Sequence, residues 1–201
     1  MRIATDHREA ILHNAARLFA RKPFHEVLME DVAVQTGIAK GTIYRYFPNK
    51  AELFVALSVR FVGLMAHEVE QSIQSGDPVV NMRAMITRLV QLIDEHHDFF
   101  QVMQRRECEV WERNSSEFMQ RRNVLRDLFV EQLQLAERVG AIECPFPMPA
   151  AADMLLGMVR NILRFSNPIP APPILADMVM HIFINGLTAS PAGTPARKRP
   201  K

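Results

Sequence analysis

The chain has 201 residues and a formal net charge of +2, and 48% of its residues are hydrophobic. This composition is typical of a soluble globular protein and argues against a disordered chain, while the length suits one large domain or two small ones. The sequence has no run of about 18 or more apolar residues and no apolar segment after Met1, so we expect no membrane span, no secretory signal and a cytoplasmic protein. Because Cys108 and Cys144 form no C-x-x-C pair, neither a disulfide framework nor a zinc finger is expected.

Charge is unevenly distributed along the chain. Residues 1–50 hold eight Lys and Arg against five Asp and Glu, whereas residues 51–189 hold twelve against seventeen. A basic N-terminal part on an acidic body predicts an anionic partner for the N-terminal part. Residues 189–201 contain four Lys and Arg and no apolar period, which predicts a disordered basic tail.

Apolar residues recur at helical spacing along most of the chain, and no strand pattern is evident, so we predict an all-α fold of about nine helices. Turn residues mark the helix ends: Pro23 and Pro48 follow the first and third helices, and Gly37 suits a left-handed cap after the second. Asn49 is expected to cap the fourth helix. The predicted helices are residues 6–22, 29–36, 40–46, 50–75, 79–95, 97–111, 115–139, 149–166 and 173–188.

Residues 28–47 have the spacing of a helix-turn-helix. Ala33 is small enough for two helices to approach, Gly37 suits the sharp turn, and Ile43 packs the second helix back on the first. A second helix of seven residues is about 10 Å long and fits a major groove about 12 Å wide. The residues left to face outward are Lys40, Gly41, Thr42, Tyr44, Arg45 and Tyr46.

These outward residues have the chemistry of a DNA contact. Gly41 lets the backbone approach the bases or the sugar-phosphate chain, Thr42 can bond a base or a phosphate, and the tyrosine hydroxyls can reach phosphates. Arg45 is either a guanine reader or a phosphate clamp, and both roles stay open. Lys50, at the start of the fourth helix, is expected to anchor a phosphate. A lone aromatic residue of such a segment is more often core, and we expect this of Phe47.

Residues 11–57 read ILHNAARLFARKPFHEVLMEDVAVQTGIAKGTIYRYFPNKAELFVAL, and this stretch resembles the N-terminal DNA-binding domain of TetR/AcrR-type transcriptional regulators. The resemblance implies an all-α homodimer in which a three-helix N-terminal domain binds operator DNA and a larger C-terminal domain dimerises and usually holds a small inducer. Leu28 and Ala39 depart from the family pattern, in which Ser or Thr often caps a helix there, and a lost cap costs about 1 kcal/mol. Matched positions imply DNA contacts by Lys40, Gly41, Thr42, Tyr44, Tyr46 and Lys50.

Three segments are therefore predicted. Residues 1–50 form the helix-turn-helix DNA-binding domain, residues 51–188 form a helical ligand-binding and dimerisation domain, and residues 189–201 are the basic tail.

Two C-terminal helices carry more apolar surface than we expect one chain of this size to bury. The helix at residues 174–187 is polar only along a narrow stripe, so we expect part of it to pack against a second subunit together with the helix at 149–166. The predicted dimer residues are Leu155, Val159, Ile162, Leu175, Met178, Val179 and Ile182.

Methionines suggest an effector pocket in the C-terminal part, because twelve in this length is a high number and methionine lines adaptable apolar sites. Ordinary core filling is the alternative interpretation. Adjacent His96 and His97 point about 100° apart on a helix and do not suit one metal ion, so no metal is predicted. The pocket prediction rests on Met82, Met85, Met103, Met119, Met154 and Met158.

The leading hypothesis is a transcriptional repressor that binds a palindromic operator as a homodimer and is released by a small apolar effector. No G-x-S-x-G, H-E-x-x-H or suitably spaced carboxylate pair is present, so neither an enzyme nor a cofactor is expected. Two alternatives remain: a helical enzyme or carrier whose N-terminal segment only resembles the motif, and an architectural protein that binds DNA without regard to sequence.

Overall fold

The computed structural model describes residues 2–105 and 115–188. In these two ranges the chain forms nine α-helices and one 3₁₀ turn, Phe24–Glu26, and no strand, which confirms the all-α prediction. The predicted tail and the end of the predicted helix 97–111 lie outside the described residues, as does Cys108. The helices are α1 (Arg2–Arg21), α2 (Met29–Thr36), α3 (Lys40–Tyr46), α4 (Lys50–Gln71), α5 (Pro78–Glu95), α6 (His97–Arg105), α7 (Ser115–Arg138), α8 (Met148–Phe165) and α9 (Pro172–Thr188).

Helix ends follow the turn residues of the sequence. Gly37 after α2 and Gly140 after α7 have positive φ angles of 68° and 73°, a conformation that costs glycine little because it has no Cβ. The side-chain oxygen of Asn49 accepts a hydrogen bond from the Glu52 N–H at 2.9 Å, which confirms the predicted cap of α4. Among the described helices none is long and apolar enough to cross a membrane.

Two helix boundaries differ from their predictions by four residues. The first helix was expected to begin at residue 6, but α1 begins at Arg2. The fourth helix was expected to reach residue 75, but α4 ends at Gln71. The Ser75 N–H donates to the Asn81 side-chain oxygen at 2.9 Å, and the Ser75 carbonyl accepts from the Asn81 amide nitrogen at 2.9 Å. Because one side chain of α5 holds both backbone groups of Ser75, this segment makes its hydrogen bonds outside α4.

The chain divides into two compact units. One contains the described parts of Met1–Gln71 and Arg88–Leu125, and the other contains those of Ser72–Thr87 and Arg126–Lys201. These units group residues that pack together. The predicted division after residue 50 instead separates DNA binding from dimerisation, and it stays a prediction.

Three phenylalanine rings link the elements that carry the N-terminal helices of the first unit. Phe24 of the 3₁₀ turn stacks on Phe19 of α1 with centroids 5.6 Å apart, and its edge meets Phe54 of α4 at 5.3 Å. Phe19 and Phe54 also touch at 5.3 Å, and both are buried. Such pairs contribute about 0.5–1.5 kcal/mol each beyond area burial, so the 3₁₀ turn is held firmly between α1 and α4.

Polar pairs join the helices of the second unit. The buried Asn81 amide of α5 donates to the side-chain oxygen of Gln132 of α7 at 3.0 Å, which pairs two polar side chains in the core. On the exposed side, Arg83 of α5 pairs with Asp177 of α9 through two hydrogen bonds, one of which measures 2.8 Å. The hydrogen bond from Arg83 lowers the pKa of Asp177 below its ordinary value.

Candidate nucleic-acid interface

The turn between α2 and α3 is fixed by its own side chains. Gly37 supplies the left-handed residue, and the Thr36 hydroxyl donates to the Val32 carbonyl at 2.7 Å while accepting from the Ile38 N–H at 3.4 Å. Behind the turn, Val32 of α2 and Ile43 of α3 are completely buried. The sequence-based packing of α3 on α2 is therefore confirmed, and it fixes which face of α3 points outward.

The outward face of α3 carries the residues expected to contact DNA. Lys40, Gly41, Tyr44 and Arg45 are exposed, and Thr42 and Tyr46 are half-buried. The structure thus brings all six onto one helix of seven residues. Phe47, in contrast, is 4% exposed and belongs to the core, as predicted.

The N-terminal ends of α2 and α3 lack side-chain caps. Leu28 before α2 and Ala39 before α3 have the extended backbone of a cap residue but no side-chain hydrogen bond to the helix. This is the consequence expected from the two departures from the family pattern.

Lys40 has a partner that sequence reasoning missed. Its ammonium pairs with the Glu30 carboxylate of α2 and lies 5.8 Å from the Tyr44 ring centroid. This hydrogen bond lowers the pKa of Glu30 and raises the pKa of Lys40, because each charge stabilises the other. A related contact places Arg45 5.6 Å from the ring centroid of Tyr46.

Lys50 is directed at the protein backbone. Its ammonium donates to the carbonyls of Phe24 at 2.7 Å and His25 at 3.2 Å, and it lies 4.7 Å from the Phe24 ring centroid. Lys50 thus joins the start of α4 to the 3₁₀ turn. Its expected phosphate contact stays a prediction, and no sequence pattern indicates the hydrogen bonds to these two carbonyls.

A cavity of about 380 Å³ lies between α1, α4 and the junction of α5 with α6. Its buried lining is apolar and includes Leu12 of α1 and Phe61 of α4. The volume is in the range of small-molecule sites, about 300–1,000 Å³. Exposed charged residues that also line it are Arg17, Arg60, Asp94, Glu95 and Asp98.

The six methionines of the predicted effector pocket are not part of this lining. Met103 and Met119 belong to the first unit, and the other four belong to the second. Met154 is 57% exposed, whereas Met82, Met85 and Met103 are buried. The structure therefore does not bring the six together in one unit, and the methionine pocket stays a prediction.

The predicted dimer residues divide into two groups. Met178 and Ile182 are 45% and 57% exposed, and Ile162 is half-buried. Phe165 and Ile174 are also exposed on the same two helices, α8 and α9, but are not among the predicted dimer residues. The remaining four, which are buried within the chain itself, are Leu155, Val159, Leu175 and Val179.

Comparisons with known proteins agree with this geometry. Residues 11–57 match the family described as bacterial regulatory proteins, tetR family. The uncharacterized HTH-type transcriptional regulator YxaF of Bacillus subtilis (strain 168) is 33% identical over 91 residues, which are 44% of this chain and 48% of YxaF. The chain thus spans about half the length of that relative. The HTH-type transcriptional repressor BepR of Brucella suis biovar 1 (strain 1330) is 24% identical over 172 residues, 80% of each chain.

A solved structure shares the fold. The crystal structure of the transcriptional regulator FadR from Bacillus subtilis in complex with stearoyl-CoA has a TM-score of 0.70 and is 19% identical. The alignment covers 89% of this chain and 98% of FadR. At that identity the likeness shows the fold alone.

Proposed function

We propose that this chain is a DNA-binding transcriptional regulator of the tetR family of bacterial regulatory proteins rather than an enzyme, which the match of residues 11–57 and the similarity to YxaF support. It represses transcription in the cytoplasm by binding a palindromic operator as a homodimer, and a small apolar effector releases it. The observation that carries this proposal is the polar outward face of α3, set by the complete burial of Ile43 behind it.

Residues 1–50 read the DNA in this proposal. Helix α3 enters the major groove, where Gly41 and Thr42 approach the base edges, and Arg45 contacts a base or a phosphate. Lys40 and Lys50 contact phosphates, as do the hydroxyls of the two tyrosines of α3. For Lys50 this requires that its ammonium exchange the two backbone carbonyls of the 3₁₀ turn for a phosphate oxygen.

Residues 51–188 dimerise in this proposal. Exposed apolar side chains on α8 and α9 support a face that a second copy covers, and they include Phe165, Ile174, Met178 and Ile182. Two copies related by a two-fold axis require a palindromic site with half-sites about 34–36 Å apart.

The cavity beside α1 is our first candidate site for the effector, and the methionines are the second. Its buried apolar lining suits an apolar molecule, and its volume of about 380 Å³ limits that molecule to a small one. Since the lining includes Leu12 and Ala16 of α1, an occupant there would contact a helix of the DNA-binding segment. Such a molecule releases DNA only by its difference in affinity for the two states.

Fluorescence anisotropy with two DNA duplexes tests this function against its alternatives. Binding to the promoter DNA beside the protein's own gene is compared with binding to a random duplex, each at two salt concentrations. Stronger binding to the promoter DNA at both salts is expected. Equal affinity would leave only the architectural alternative, and no binding to either duplex would favour the enzyme or carrier.

A further inference from the structure

The first turn of α2 holds two lysines through two acidic residues. Glu30 pairs with Lys40, the first residue of α3, and Asp31 pairs with Lys22, just after α1, at 3.1 Å. The Lys40 and Glu30 side chains are 57% and 49% exposed, so the Lys40 ammonium is accessible to a DNA phosphate. The acidic turn therefore lies beside a residue that the proposed function assigns to DNA.

Glu30 and a DNA phosphate compete for the same ammonium. Both are anions, and the flexible Lys40 side chain can place its single ammonium against one or the other. While Glu30 holds Lys40, the pair is neutral and adds no charge that displaces counterions from DNA. When Lys40 moves to a phosphate, the Glu30 carboxylate is left unpaired near the DNA, where the like charge is unfavourable.

We infer that Glu30 is a specificity-determining residue, because it keeps Lys40 from phosphates of non-operator DNA and releases it only when α3 is seated in the operator. This inference rests on the proposed function. On the operator, base contacts from the rest of α3 fix Lys40 beside a phosphate and offset the loss of its pair with Glu30. On other DNA those base contacts are missing, and binding is almost wholly electrostatic, so Lys40 stays with Glu30.

The salt dependence of DNA binding distinguishes Lys40 paired with Glu30 from Lys40 bound to a phosphate. Each phosphate contact contributes about 0.9 to the slope of log affinity against log salt. In Glu30→Gln, Lys40 is free to contact non-operator phosphates, so the slope on a random duplex steepens by about one contact. Between 50 and 200 mM salt, the affinity of the variant for the random duplex should therefore fall by about 3.5-fold more than that of wild type. On the operator, where Lys40 already contacts DNA, the slope stays unchanged.

The experiment uses the full chain, a random duplex and a duplex selected by the wild-type protein from a random library. Affinities of wild type and Glu30→Gln are measured by fluorescence anisotropy at four salt concentrations, and circular dichroism checks that the variant is folded. We expect a steeper slope on the random duplex only, and a smaller ratio of selected to random affinity at low salt. Unchanged slopes on both duplexes, or equal steepening on both, would overturn the inference.

Asp31→Asn is the matched control, since it removes the same charge from the same helical turn and frees Lys22 instead. An equal change in Asp31→Asn would attribute the effect to net charge and would also overturn the role of Glu30. A wild-type protein that selects no sequence would refute the proposed function, while the slope on the random duplex would still decide whether Glu30 restrains Lys40.

Discussion

Gly41→Ala is expected to stabilise the free protein and to weaken its binding to DNA. A Cβ built on Gly41 meets no atom within 4 Å, and the residue lies inside α3 with no positive φ. Alanine is favoured over glycine within a helix by about 0.5–1 kcal/mol. For a chain of this size that raises the melting temperature by about 1–4 °C. The added methyl group stands on the outward face, where we propose that the backbone approaches DNA.

Gly37→Ala is the matched control, because it makes the same chemical change four residues earlier with the opposite expected sign. The φ of Gly37 is +68°, and a Cβ there also meets nothing within 4 Å, so only backbone strain changes. The left-handed conformation costs an ordinary residue about 1–2 kcal/mol. The melting temperature is therefore expected to fall by about 2–8 °C.

Thermal melts at one protein concentration measure both stabilities, and anisotropy with the selected duplex measures DNA affinity. Loss of one base-edge contact is worth about 1–3 kcal/mol, so Gly41→Ala should weaken binding by about 5- to 150-fold. A Gly41→Ala protein that is more stable and binds with unchanged affinity would show that the backbone at this residue does not approach DNA. A Gly41→Ala protein that is less stable would refute the reasoning about α3 itself.

Three further predictions concern the caps, the second unit and the dimer. Ala39→Ser supplies the missing cap of α3 and should raise the free energy of unfolding by about 0.5–1 kcal/mol in urea denaturation; no increase would contradict the cap assignment. Asp177→Asn removes the pair with Arg83. Because the pKa of Asp177 is lowered in the folded protein, the pair stabilises wild type above the ordinary value of 3.8, and this advantage is lost as pH falls through the lowered pKa. Melting temperatures of the two proteins should therefore converge in acid, and a constant difference would contradict this. Ile182→Asp places a charge on the exposed face of α9 and should give monomers in sedimentation at micromolar concentration, whereas an unchanged dimer would exclude this face.

Local features of the fold could be predicted because they depend on few residues. The ends of α2 and α3 follow from Gly37 and Pro48, which act on their own neighbours, and these two helices were predicted with the bounds they have. Burial of Ile43 and Phe47 follows from their spacing in the helix-turn-helix. The polar residues that remain on α3 were therefore identified by elimination.

Partners of long charged side chains could not be predicted, because they depend on tertiary placement. Lys40 and Lys50 were both assigned to DNA from their positions, yet one pairs with Glu30 and the other with carbonyls 25 and 26 residues away. Apolar periodicity has a similar limit. It marks Leu155 and Ile182 alike as apolar, but only the structure shows that Leu155 is buried within its own chain and Ile182 is exposed.

Selection of bound sequences from a random DNA library tests the central claim most directly, because it assumes neither an operator nor an effector. Wild-type protein should enrich a palindromic motif with half-sites about one helical turn apart. Tyr44→Ala, which shortens an exposed side chain of α3, should lose that enrichment while the protein stays folded and dimeric. No enriched motif with the wild-type protein, or the same motif with the variant, would contradict the account of α3 as the DNA-reading helix.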